Sequence, residues 1–117
     1  MRKESSTNTI NKKRMENSCG MSYTLTTIGG RWKPAILWRL IHGKMRYSEL
    51  RNAIPDVTER ILVLALREME KDGLIKRIVY AEVPPRVEYE LTEKGHSLRP
   101  VLRGLSEWGE KNRASDK

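Results

Sequence analysis

The sequence contains few of the residues on which catalysis, metal binding and disulfide bonding depend. Its 117 residues include one cysteine, Cys19, so an internal disulfide is excluded. The two histidines, His42 and His96, lie far apart and have no further ligands at a suitable spacing, which argues against a zinc site. There is no Gly-x-Ser-x-Gly motif and no histidine paired with a nucleophile. We therefore expect a protein that is not an enzyme and that holds no metal ion and no cofactor.

Long apolar runs are also missing. No run approaches the ~18 residues that span a membrane, and no signal-peptide core follows Met1, so we expect a cytoplasmic protein without a membrane partner. What the sequence has in excess is positive charge, with 23 lysines and arginines against 15 aspartates and glutamates and a formal net charge of +8. A domain this basic favours a polyanion, either nucleic acid or an anionic membrane surface.

Composition divides the chain into three parts. Residues 1–18 are almost entirely polar and are predicted to be a flexible basic arm, in which the three basic residues at 12–14 could also contact phosphate. Residues 19–110 carry helical and strand patterns and are predicted to form one domain. Residues 111–117 are predicted to be a short polar tail.

Two helical patterns joined by a short turn organise the domain. Ser48 is expected to cap the first helix, and Pro55 ends it because proline lacks an N–H and clashes with the preceding turn. The second helix begins at Asp56 or at Thr58, and Gly73 is expected to close it in a left-handed conformation.

The second of these helices has two different faces. At about 100° per residue, the apolar residues fall on one stripe, which consists of Ile61, Leu62, Ala65, Leu66 and Met69. The opposite face carries Arg60, Val63, Arg67 and Lys71. A helix that buries one face and presents cations on the other suits the major groove of DNA, although an ordinary surface helix can carry the same residues.

The pattern changes from helical to alternating after this helix. Residues 74–81 and 87–91 are strand-like, and the second of them alternates strictly between apolar and polar residues. Residues 82–86 between them contain two prolines, which are tolerated at a hairpin tip and poorly tolerated in a central strand. We predict a two-stranded hairpin whose stiff tip carries Arg86, with ion pairing to Glu82 or Glu88 as the alternative role for that arginine.

The end of the chain is predicted to be an amphipathic helix capped by Thr92. Its apolar residues recur every three or four positions and are Leu98, Val101, Leu102, Leu105 and Trp108. The stripe needs a partner surface, which is either the domain's own core or a second subunit. Pro100 either kinks this helix or marks its true first turn.

The ordered motifs match a known family over residues 19–109. They are Cys19, Ile28–Pro34 (IGGRWKP), Arg46–Leu50 (RYSEL), Leu66–Ile75 (LREMEKDGLI), Tyr80–Tyr89 (YAEVPPRVEY), Leu91-Thr92, Gly95, Leu98, Pro100–Leu102 and Trp108-Gly109. In these motifs the chain resembles the HxlR-type winged helix-turn-helix transcriptional regulators, which are related to MarR-type regulators. The resemblance implies a mainly α fold with a small β-hairpin wing.

The resemblance also implies partners and site residues. It implies a homodimer that binds a pseudo-palindromic operator in double-stranded DNA, with the helix from Thr58 in the major groove and the wing at the neighbouring minor groove. The residues expected at the DNA are Arg46, Ser48, Thr58, Glu59, Arg60, Val63, Leu64, Arg67 and Arg86. The N- and C-terminal helices are expected to form the dimer through Leu25, Leu98, Leu102, Leu105 and Trp108. Repression is the expected effect on transcription, and the alternative is a winged-helix module that binds protein or RNA.

The chain departs from the family pattern at two places. Val63 and Leu64 stand in the middle of the recognition helix, where family members often carry Thr or Gln. They could contact thymine methyl groups or read nothing, so the operator sequence is not carried over. Gly20 follows Cys19 where the family usually has proline, so the first turn is expected to be less rigid.

Cys19 begins a short predicted helix, where the helix dipole favours the thiolate. In some HxlR-type proteins the matching cysteine senses oxidants or electrophiles, and this is the functional hypothesis for Cys19. The alternative is a small buried apolar residue. A small-molecule effector is not identified by the sequence.

Overall fold

The computed structural model of the chain describes residues 19–115, with side chains up to Arg113. The predicted arm at residues 1–18 lies outside the described residues. The chain divides into two compact units, one that ends at Arg31 and one that begins at Trp32. No helix within residues 19–115 combines the length and the apolar character needed to cross a membrane.

The elements confirm the predicted class of a mainly helical protein with a small antiparallel sheet. The first unit contains helix α1 (Gly20–Ile28). The second contains α2 (Trp32–Leu40), β1 (Met45–Arg46), α3 (Tyr47–Ala53), α4 (Glu59–Lys71), β2 (Ile75–Tyr80), β3 (Arg86–Leu91), α5 (Glu93–His96) and α6 (Arg99–Ser115). The first residues of the predicted polar tail therefore continue α6.

The core of the second unit lies where α2, α4 and the sheet meet. Its fully buried side chains are Ile36, Leu37, Leu40, Leu50, Leu62, Leu66, Met69, Leu74 and Ile75. Helix α4 packs against α2 and β2, and α6 packs against α2. The nearly all-apolar stretch in α2 is therefore a buried helix, as its pattern predicts.

The sheet has the strand order β1-β3-β2, and both strand pairs are antiparallel. Ile75 pairs with Leu91 at the base of the hairpin, and Tyr80 pairs with Arg86 at its outer end. The hairpin tip is therefore residues 81–85, and the predicted position of Arg86 at the tip is wrong, since Arg86 is the first residue of β3.

Helix α3 begins two residues earlier than predicted. Its N-cap is Arg46, and Ser48 lies inside the first turn, so the expected Ser48 cap is wrong. The Arg46 N–H donates to Glu49 Oε1 at 2.8 Å, which satisfies a backbone donor at the helix start. The shift arises because β1 pairs with β3 as far as Arg46, so the helix starts where the strand ends.

Helix α4 is closed at both ends by side-chain and backbone hydrogen bonds. Of the two predicted starts, Thr58 is the N-cap, and its hydroxyl accepts the Ile61 N–H at 3.2 Å. At the other end Gly73 has a φ of 77°, and the Leu74 N–H donates to the Met69 carbonyl at 2.9 Å in a Schellman arrangement. These ends define the 13-residue length of the helix.

The region after the sheet differs from the prediction in its first helix. Thr92 caps the four-residue helix α5 and not the long last helix, which begins separately at Arg99. The Thr92 hydroxyl also donates to the Gly73 carbonyl at 2.6 Å, so it ties α5 to the end of α4. Pro100 lies in the first turn of α6, which is the second of the two alternatives stated for it.

Candidate nucleic-acid interface

A groove of about 950 Å³ lies between α4, the start of α3 and the hairpin. Its walls are Arg46, Tyr47, Ser48, Val63, Arg67, Glu70, Arg77, Glu82, Pro84, Pro85, Arg86, Val87 and Tyr89. The groove brings together five residues predicted at the DNA, which are Arg46, Ser48, Val63, Arg67 and Arg86. Four arginines against two glutamates give its walls a net positive charge, which attracts phosphate.

The other predicted DNA residues lie outside the groove, on the first turn and the outward face of α4. Arg60 is exposed, and Leu64 exposes 54% of its surface. The Thr58 hydroxyl already serves as the helix N-cap. The Glu59 carboxylate lies 3.5 Å from Arg51 of α3, so this predicted DNA residue is part of an ion pair within the protein.

Helix α4 presents three kinds of surface. Leu62, Ala65, Leu66 and Met69 are buried, whereas Ile61, predicted in the same stripe, exposes 41% of its surface because it lies at the edge of the stripe. Arg60, Arg67 and Lys71 occupy the opposite side, and none of them forms an ion pair among the residues that the structure describes. The carboxylates of Glu59 and Glu68 lie on the flanks and pair with Arg51 and Lys33. The outward face is therefore cationic and free to meet phosphate or base edges.

The surroundings of Arg86 match the alternative that the sequence left open. Its guanidinium lies over the Tyr80 ring, with 4.0 Å between the guanidinium carbon and the ring centroid. Its nitrogens lie 3.6 Å from Glu82 Oε2 and 3.4 Å from Glu88 Oε2, and 28% of the side chain is exposed. Two carboxylates therefore offset the charge that the predicted minor-groove contact requires.

Lys44 joins the same cluster from the loop before β1. Its ammonium donates to the Tyr80 hydroxyl at 3.3 Å and lies 3.8 Å from Glu88 Oε1. The hydrogen bond to Tyr80, together with the charges of Tyr80 and Glu88, raises the pKa of Lys44 above its ordinary value. A lysine is protonated at neutral pH even without this shift, so Lys44 contributes a cation to the outer end of the hairpin.

Arg77 of β2 is a groove residue that the sequence reasoning missed. It is exposed, lines the groove with Arg46 and Arg67, and forms no ion pair within residues 19–113. The sequence shows only that two neighbouring cations, Lys76 and Arg77, lie in a strand-like segment. Which of the two faces α4 depends on the register of the hairpin, which the sequence does not specify.

The exposed apolar surface of α6 contains part of the predicted dimer interface. Leu105 exposes 54% of its surface and Trp108 exposes 70%, while Leu98 is half-buried. Leu102 exposes only 3% and belongs to the core of its own chain, so the structure removes it from the predicted interface. Leu105 lies about 60° around the helix from Leu102, which places Leu102 against the core and Leu105 at the exposed edge of the apolar stripe. A shallow groove of about 490 Å³ runs beside Leu105 and Trp108.

The first unit carries the other predicted residues. Leu25 exposes 56% of its surface, and Met21, one turn earlier on α1, exposes 73%. Cys19 is exposed and is the N-cap of α1, so the alternative of a buried apolar residue is wrong. Its Sγ accepts the Ser22 N–H at 3.4 Å. No group of three or more potential metal ligands comes together within the described part of the chain.

Comparison with known proteins gives one consistent group of relatives. A family model described as HxlR-like helix-turn-helix matches residues 27–117. The HTH-type transcriptional regulator YybR of Bacillus subtilis (strain 168) is 47% identical over 98 residues, which are 84% of this chain and 78% of the relative. The HTH-type transcriptional regulator YdeP of the same organism is 52% identical over 93 residues, which are 80% and 73% of the two chains.

Solved structures agree with the sequence relatives. The redox regulator HypR in its oxidized form superposes with a TM-score of 0.77 at 47% identity and covers 80% of this chain and 96% of its own. The reduced form of the transcriptional regulator YodB from B. subtilis superposes with a TM-score of 0.69 at 31% identity and covers 80% and 92%. Both likenesses extend over most of the described residues.

Proposed function

The chain belongs to the HxlR-like helix-turn-helix family and is a DNA-binding transcriptional regulator, and we propose that it acts as a homodimeric repressor of a pseudo-palindromic operator. The observation that carries this proposal is helix α4, whose outward face has cations without ion-pair partners among the described residues, while Leu62, Ala65, Leu66 and Met69 on its other side are buried. Such a helix can enter the major groove without losing its own packing.

Base reading is assigned to the start and centre of α4. Arg60 lies in the first turn, where base contacts concentrate, and a guanidinium can bind guanine O6 and N7 in a bidentate manner. Leu64, exposed by 54% on the same face, and the half-buried Val63 are suited to thymine methyl groups. Arg46 and Ser48, at the start of α3, are suited to the phosphate backbone, which sets the orientation of α4 on the duplex.

Dimerisation is proposed through the exposed apolar residues of α1 and α6. Leu25 on α1 and Leu105 and Trp108 on α6 each leave more than half of their surface in water. Burying such side chains against a second copy is favourable, because apolar area leaves water. Two copies related by a two-fold axis would present two recognition helices, and a pseudo-palindromic site matches that symmetry.

Cys19 is proposed to make DNA binding responsive to oxidants or electrophiles. The thiol is exposed, and it lies at the N-terminus of α1, where the helix dipole favours the thiolate. The relative HypR is described as a redox regulator, which adds support to this role. Because the chain has one cysteine, the products open to it are an intersubunit disulfide, a mixed disulfide or an adduct.

The proposal is tested by mobility shift with DNA from upstream of the protein's own gene. We expect a discrete complex that survives an excess of random duplex, and a footprint with two half-sites about one helical turn apart. In vitro transcription from a promoter that contains this site should fall when the protein is added. Equal affinity for the upstream DNA and for random duplex would contradict operator recognition and favour the protein- or RNA-binding alternative.

A further inference from the structure

The two arginines of the hairpin have opposite surroundings. Arg86 stacks on Tyr80 and lies within 3.6 Å of two carboxylates, those of Glu82 and Glu88. Arg77 is exposed, and no acidic side chain within the described residues pairs with it. A guanidinium without a carboxylate partner keeps its full charge for an incoming phosphate. Of the two arginines, Arg77 is therefore the one whose charge is more available to bind a DNA phosphate.

The register of the hairpin places Arg77 and Arg86 on opposite faces of the sheet, although both residues line the groove. Arg77 pairs with Tyr89, and the neighbouring pair on the same face is Ile75 with Leu91. Those three neighbours are buried, so this face is turned toward α4 and its outer part borders the groove. Residues one position away point to the other face, because side chains alternate along a strand.

Arg77 lines the same groove as two cations from the helical part of the domain. Arg67 lines the groove from α4, and Arg46 lines it from the start of α3. Glu82 in the same groove is within 3.6 Å of Arg86, so its charge is offset locally, whereas Glu70 weakens the local positive potential without reversing it. A phosphodiester is a compact anion that a set of arginines recognises through charge-assisted hydrogen bonds.

We propose that Arg77 is the wing's contact to the DNA backbone, and that with Arg46 and Arg67 it binds operator phosphate in the groove between α4 and the hairpin. In this assignment Arg86 is a positioning residue, which holds the outer end of the hairpin through Tyr80, Glu82 and Glu88. The inference rests on the proposed function, since it needs the recognition helix to be seated on duplex DNA.

The experiment measures the affinity of the full chain for an operator duplex and for a random duplex over a series of salt concentrations. Arg77→Ala is compared with Lys76→Ala, which removes the same charge one residue away. Lys76 lies on the opposite face, 3.5 Å from Glu90, and is therefore a matched control for net charge. Arg77→Lys is the third variant. Thermal unfolding and sedimentation are used to check that each variant remains folded and keeps the wild-type oligomeric state.

Arg77→Ala should lower the slope of log affinity against log salt by about 1.8 per dimer, because each lost phosphate contact accounts for about 0.9. The loss should be similar on both duplexes, since a phosphate contact carries no sequence information. Lys76→Ala should keep the wild-type slope. Arg77→Lys should keep most of the slope, since it retains a positive charge.

Two results would overturn the assignment. One is an unchanged slope for Arg77→Ala, and the other is an equal fall in slope for Lys76→Ala. Failure of the proposed function is distinguishable, because it appears in the wild type as equal affinity for the operator and the random duplex. Even then, a slope that falls with Arg77→Ala and not with Lys76→Ala on random duplex still supports Arg77 as a phosphate contact.

Discussion

Two leucines with the same exposure provide a sharp test of which surface joins the subunits and which reads DNA. Leu105 on α6 and Leu64 on α4 each expose 54% of their surface. We expect Leu105→Glu to give monomers that bind a half-site weakly, and Leu64→Glu to give dimers that have lost operator affinity. The two variants introduce the same side chain at positions of equal exposure, so any difference in dimerisation or DNA binding between them arises from the surface on which each residue lies.

The size of the dimer effect follows from the exposed part of Leu105. Burying a whole leucine is worth about 1.5–3 kcal/mol, so burying about half of one is worth about 0.8–1.5 kcal/mol, and about 1.6–3 kcal/mol for the two copies in a dimer. The milder change Leu105→Ala should therefore weaken dimerisation by roughly 15- to 150-fold. Leu105→Glu should weaken it more, because a carboxylate would have to leave water.

Sedimentation velocity over a range of protein concentrations measures the dimer constant, and fluorescence anisotropy with a labelled duplex measures DNA binding. A monomeric wild type at micromolar concentration would refute the reasoning at its first step. So would a Leu105→Glu protein that remains as dimeric as Leu64→Glu, since the interface would then lie elsewhere.

Three further outcomes are expected. Arg60→Ala should cost about 1–3 kcal/mol of operator affinity and relax the preference at one base pair per half-site, whereas equal losses on operator and random duplex would make Arg60 a phosphate contact. Diamide or a quinone should weaken operator binding by the wild type and leave Cys19→Ser unaffected, and loss of binding in both would place the chemistry at another residue. Leu102→Ala should lower the free energy of unfolding by about 2–5 kcal/mol in urea denaturation, because Leu102 lies in the core, and a change near zero would return it to the surface.

The course of α4 was predictable from sequence because several local signals agree. The apolar period, the capping threonine Thr58 and the left-handed Gly73 all indicate the same helix, and the structure has it at Glu59–Lys71. The start of α3 was not predictable in the same way. Ser48 is a good N-cap by residue type, but the pairing of β1 with β3 determines where the helix can begin.

The roles of individual surface residues depended on tertiary contacts that the sequence does not specify. Leu102 and Leu105 both lie on the apolar pattern of the last helix, and only the packing of α6 on α2 separates the core residue from the exposed one. For Arg86 the sequence left both a DNA contact and an ion pair with Glu82 or Glu88 open, and the pairing of Tyr80 with Arg86 places an aromatic ring beneath its guanidinium. Arg77 became visible as a groove residue only through that same register.

The glutamates of α4 explain how a helix with acidic residues can still approach a phosphate backbone. Glu59 and Glu68 lie on its two flanks, and each is paired with a cation of a neighbouring helix, Arg51 or Lys33. Exposed pairs of this kind are worth about 0–1 kcal/mol, so their effect on stability is small. Their effect on the electrostatic potential that the DNA meets matters more for function, because a paired carboxylate repels phosphate less than a free one.

Glu70 differs from these two glutamates because it lines the groove itself. A carboxylate there reduces the attraction of the groove for any phosphate backbone, and therefore reduces binding to operator and random DNA alike. Base contacts from the outward face of α4 act only on the operator. A groove of moderate positive potential thus leaves a larger share of the binding free energy to base reading, which is the share on which discrimination between sites depends.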